Sequence, residues 1–160
     1  MANSLKLCKA KELFVDEHRN PNVIVLQAAT EVLNIPGTAN RHPNGDFEDS
    51  WTQYWLAFSE QDNIMCSECG KPLWNKECKN SEGFCKAVLR YRQVMKRSGG
   101  NCEDESMDDY MSHGSHVEFA GMTYITPLCS KHNTENVGKK IVLNKGSILV
   151  EEVDPRIDDE

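Results

Sequence analysis

The sequence has little that would carry it into a membrane or through a secretory route. No apolar run approaches the about twenty residues of a spanning helix, and the opening Met-Ala-Asn-Ser-Leu-Lys-Leu-Cys lacks a long apolar signal core. Both absences predict a chain that stays in a reducing cytoplasm. Internal repeats and low-complexity tracts are missing as well. The seven cysteines are odd in number, so a fully paired disulfide scaffold is excluded, and in a reduced compartment they read as ligands plus bystanders. Cys8, on the first expected helix, reads as a small buried apolar residue.

Basic residues are scarce outside one stretch. Residues 71–97 hold eight Lys and Arg against Glu77 and Glu82, a local +6, whereas the whole chain carries −7 and the remainder therefore −13. Acidic clusters stand at 103–109 and 151–160, the second ending in an acidic tail over 154–160. A surface of this balance repels nucleic acid unless the basic segment alone faces it, and favours a basic target.

Helical signals dominate the first sixty residues. Ser4 caps a helix running to about His18, and Asn20-Pro21-Asn22 ends it. The stretch from Val23 to Leu33 is ambiguous, because Val23-Ile24-Val25 suits a strand while Leu26 to Leu33 with its alanines suits a helix. Thr38 to Asp46 is a loop by its Asn, Pro and Gly content. Ser50-Trp51-Thr52-Gln53 then forms a capping box, and Trp51, Tyr54, Trp55 and Phe58 recur on one helical face as core. A further helix spans Gly83 to Ser98. Its apolar side is Phe84, Ala87, Val88, Tyr91, Val94 and Met95, opposite a basic stripe of Lys86, Arg90 and Arg97 with Gln93. That stripe reads either as a solvated face or as an interface. Later come a hairpin (His116 to Phe119, Thr123 to Leu128), a short helical turn from Cys129, and a final hairpin of Lys140 to Leu143 with Ser147 to Val153.

The chemistry sits in two pairs, Cys66-Ser67-Glu68-Cys69 and Cys129-Ser130-Lys131-His132, about sixty residues apart. Each pair has the spacing by which a tight turn aims two side chains at one ion, so together they supply four ligands for a tetrahedral zinc. A redox Cys-x-x-Cys wants a following helix, and Lys71-Pro72 comes instead. The helix N-terminus at the second pair favours a Cys129 thiolate. Cys78, Cys85, Cys102 and His113 form a second set of ligand-type residues at irregular spacings, any of which is an alternative to His132 in the first site.

The order of knuckle, hairpin and helix-borne ligands, with His116-Val117 and Tyr124-Ile125-Thr126-Pro127-Leu128-Cys129-Ser130-Lys131-His132-Asn133, resembles the treble-clef zinc half of HNH-type (His-Me finger) proteins of bacteria and phages. That resemblance implies a Zn²⁺ site, His116 as the general base of a metal-dependent endonuclease, and Asn133 at a metal-contacting position. The sequence departs from the pattern at Ser115, where an Asp or His ligand is expected, and at Tyr124-Ile125-Thr126, which lacks the strand Asn.

The expectation is therefore an α+β protein with a helical N-terminal region (1–62) and a zinc-stabilised treble-clef-like region (63–153) of β-hairpin and helix. Its expected function is non-catalytic binding, as an adaptor or inhibitor acting on a protein partner. The alternatives are an HNH-like nuclease using His116, and a zinc-dependent nucleic-acid binder using the basic helix 84–97.

Overall fold

A computed structural model describes residues 5–61, 63–73, 82–99 and 110–157. Its centre is a six-stranded antiparallel sheet curled into a half-barrel, with four helices around it. The strands are β1 (Val23–Val25), β2 (Thr30–Asn34), β6 (Ser112–Phe119), β7 (Met122–Cys129), β8 (Lys140–Leu143) and β9 (Ile148–Glu151), in the order β1-β9-β7-β6-β2-β8. Two small sheets pair β3 (Arg41–His42) with β10 (Arg156–Ile157), and β4 (Ile64–Met65) with β5 (Pro72–Leu73). The helices are α1 (Leu5–Glu17), α2 (Trp51–Ser59), α3 (Glu82–Arg97) and α4 (Ser130–Glu135).

This architecture overturns the expected helical N-terminal half carrying a treble-clef C-terminal half. Residues 23–34 supply two strands of the same sheet as β6 to β9. Val23-Ile24-Val25 pairs with β9, and Thr30 to Asn34 lies between β6 and β8, so cross-strand partners far along the chain outweigh the helix propensity of the intervening Gln27-Ala28-Ala29. The hairpin β6–β7 is present, and longer than expected, but its strands are central members of the sheet.

The expected terminal hairpin is also absent. β8 borders β2 at one edge, whereas β9 lies between β1 and β7. Four interstrand steps separate β8 from β9, about 19 Å in a flat sheet, while the link from Leu143 to Ile148 reaches only about 17 Å when fully extended. The link from Val25 to Thr30 faces the same gap. Both are accommodated only because the sheet curls, and they bond to each other where they meet: Leu26 N donates to Ser147 O at 2.9 Å and Gly146 N to Leu26 O at 2.8 Å.

Helix α2 is buried along its whole length and packs against α1, β6, β7 and β9. Ser50 caps it as its sequence indicates, its hydroxyl accepting from Gln53 N at 3.3 Å. The aromatic stripe is core. Phe14, Phe47, Tyr54 and Phe58 stack edgewise with centroids 5.0 to 5.9 Å apart. Its polar tips are satisfied by backbone: Trp51 Nε1 donates to Arg41 O, Trp55 Nε1 to Ile148 O, and the Tyr54 hydroxyl to Glu151 O at 2.6 Å. Among the described residues, no helix is long and apolar enough to cross a membrane.

Helix α3 stands apart on a satellite cluster of Val88 and Tyr110 flanked by Tyr91 and Met111. Arg92 donates to the Tyr110 hydroxyl and lies over its ring, so this cation faces inward. Val94, expected on the apolar side, is 52% exposed. Lys86, Arg90 and Arg97 are exposed, as the periodicity predicts.

Candidate metal centre and adjoining cleft

The knuckle after β4 forms because Gly70 adopts φ 77°, a left-handed conformation that costs glycine nothing, and its N–H closes a turn onto Cys66 O at 2.8 Å. Cys66 N donates to Lys71 O, and Ser67 N donates to Pro127 O at 2.9 Å. The Ser67 hydroxyl meets the Thr126 hydroxyl at 2.6 Å, and Ser67 O accepts from Asn144 N. These bonds dock the knuckle on β7 immediately before Cys129, which opens α4.

The sulfurs of Cys66, Cys69 and Cys129 and a ring nitrogen of His132 therefore converge, all within 4.8 Å of one another. His132 turns Nδ1 inward, 3.2 Å from Cys129 Sγ and 3.7 Å from Cys66 Sγ. Tetrahedral ligands at metal–sulfur distances of about 2.3 Å sit about 3.8 Å apart, so the group has the dimensions of a four-coordinate metal site. Its electrostatics point the same way. Hydrogen bonds from Cys66 and Cys69 push the Cys129 thiol far below its usual range, while the same crowding pushes both donors up. A divalent cation would let all three ionise. Glu68 accepts from Asn136 Nδ2 at 3.0 Å and stands 3.8 Å from His132 Nδ1, beyond hydrogen-bond distance.

Of the second ligand set, Cys78, Cys102 and the side chain of Cys85 lie outside the described residues. His113 Nε2 lies 3.0 Å from Ser130 Oγ, and burial lowers its pKa.

His116 lies on the opposite face of β6 from His113 and Ser115. It is 4% exposed, its ring packs edgewise on Trp51 at 5.0 Å, and Nε2 sits 2.6 Å from Glu152 Oε2. Arg41 reaches the other oxygen of Glu152 at 3.2 Å. Ser115, at the position where the HNH pattern has a metal ligand, donates to Asn133 Oδ1 at 2.6 Å. Glu152, Arg41 and Asn34 were not legible as site residues, because only the curl of the sheet brings the segment just after β9 and the loop around β3 beside β6. Asn34, Arg41 and His116 line an open cleft of about 520 Å³ next to β6 and the start of α2.

No family model matches the chain, and no significantly similar curated protein or solved structure was found.

Proposed function

We propose that the chain is a zinc-stabilised binding protein that acts on a protein partner, as an adaptor or inhibitor, without catalysing a reaction. One observation carries this reading: the metal group offers four protein ligands and keeps no position open, the arrangement of a structural rather than a catalytic site. Three sulfurs and one imidazole suit zinc above harder cations. The metal would tie the knuckle at 66–70 to the β7–α4 junction, adding to the bonds of Ser67 with Pro127 and Thr126. The acidic majority of the chain, with net charge −7, favours a basic protein surface over nucleic acid.

The test combines metal content with activity. Native protein is expected to hold one zinc per chain, to leave plasmid DNA and RNA intact with magnesium, manganese or nickel supplied, and to retain a specific protein when purified by tag. Absence of zinc, or cleavage that vanishes in His116→Ala, overturns the proposal.

A further inference from the structure

We infer that the cleft beside β6 receives an extended acidic segment of the partner, which adds as a strand to the β6 edge at Ser112–Ser115; this rests on the binding reading above. Along its other edge β6 pairs with β7 from Ser112 to Phe119. Toward β2 the pairing is far shorter, covering Val117 and Glu118, followed by one bond from Ile35 N to His116 O at 2.9 Å. The chain then turns away at Pro36-Gly37. No described strand pairs with Ser112–Ser115 on that side.

Backbone polar groups along an antiparallel strand alternate with a period of two. Since the His116 carbonyl points toward β2, the N–H and C=O groups of Gly114 and Ser112 point the same way, into the cleft. Its volume of about 520 Å³ lies within the range of about 300–1,000 Å³ over which pockets bury a ligand. Thr38 and Ala39 are part of its wall. An incoming strand would meet the edge groups as in β-augmentation, where main-chain bonds give affinity and neighbouring side chains give specificity.

One further feature selects an acidic occupant. Asn34, 2% exposed and lining the cleft, has a side-chain Nδ2 with no partner, an unmet donor that a carboxylate oxygen satisfies. The charged groups of the wall are already paired, Arg41 with Glu152 at 3.2 Å and Asp49 with Arg156 at 2.6 Å. The cleft therefore offers unmet donors, from Asn34 and the strand edge, to an acceptor-rich occupant.

The test titrates the ¹⁵N-labelled, metal-loaded full chain with the pentapeptide Val-Asp-Val-Asp-Val and with Val-Lys-Val-Lys-Val. The acidic peptide is expected to shift the amides of Ser112 and Gly114 and the Asn34 side chain, to slow exchange at Gly114, and to bind more tightly than the lysine peptide. Ala39→Trp, which adds bulk to the cleft wall from an exposed position, is expected to weaken binding by about tenfold or more. Thr38→Tyr from the same wall is used instead if Ala39→Trp lowers stability. No shift at these three residues, equal binding of both peptides, or full binding by the filled-wall variant overturns the inference. A co-purifying partner that the filled-wall variant still retains sinks the cleft while leaving the binding reading intact. A chain that retains no partner at all overturns both.

Discussion

Gly114 of β6 lies directly against Trp51 at the start of α2, so close that a β-carbon on the glycine would stand 2.5 Å from Trp51 Cβ and 2.7 Å from its carbonyl carbon. Thr52 N would be 2.8 Å away. Since these are mostly backbone atoms of a fully buried helix, nothing nearby yields cheaply. Gly114→Ala is expected to destabilise the fold by about 1–3 kcal/mol, the range for overpacking in a filled core. Urea denaturation checks it; an unchanged midpoint would mean that α2 slides freely over β6.

Removing the metal is expected to unfold the region around the knuckle and α4. Structural zinc contributes apparent energies on the order of 10 kcal/mol or more, so a strong chelator should lower the melting temperature markedly. Cys129→Ser is expected to lose the bound metal, because Cys129 Sγ is the sulfur that both other thiols face. Cys78→Ser is expected to keep it. Metal retained in Cys129→Ser and lost in Cys78→Ser would transfer the site to the second ligand set.

Acid sensitivity is expected to run through Glu151. Its carboxylate accepts two bonds from Arg19, at 2.6 and 2.8 Å, and one from Asn22 N, and the Arg19 contact holds its pKa below the usual value. A group whose pKa is depressed on folding stabilises the protein above its unfolded pKa, and that contribution disappears as pH falls through the folded value. Glu151→Gln is thus expected to be less stable than the wild type at neutral pH, with the gap closing as acid neutralises the wild-type carboxyl. A gap constant across that range would show that Glu151 acts through packing alone.

The basic stripe of α3 is expected to be a solvated face. Changing Arg90 and Arg97 together to Gln should alter stability by about 0.5 kcal/mol or less, as exposed substitutions do. Partner retention should stay the same. A loss of binding that steepens with added salt would instead make the stripe an electrostatic interface.

Short-range signals in the sequence by themselves determined much of this protein. The Ser50 cap, the aromatic period of α2, the turn at Ala120-Gly121 between β6 and β7, and the two ligand pairs each depend on residues within a few positions of one another. The four metal ligands did come together, although the sheet around them is larger than a zinc module needs. Tertiary structure alone decided the rest. Residues 23–25 and 30–34 became strands because β9, β6 and β8 offered their edges, and β8 and β9 parted because one pairs with β2 and the other lies between β1 and β7. The same curl carried Glu152 to His116 and left Asn34 unpartnered beside an open strand edge. Strand pairing joins residues more than a hundred positions apart, such as Val23 and Val150, and its energy lies in partners that a local stretch of sequence does not name.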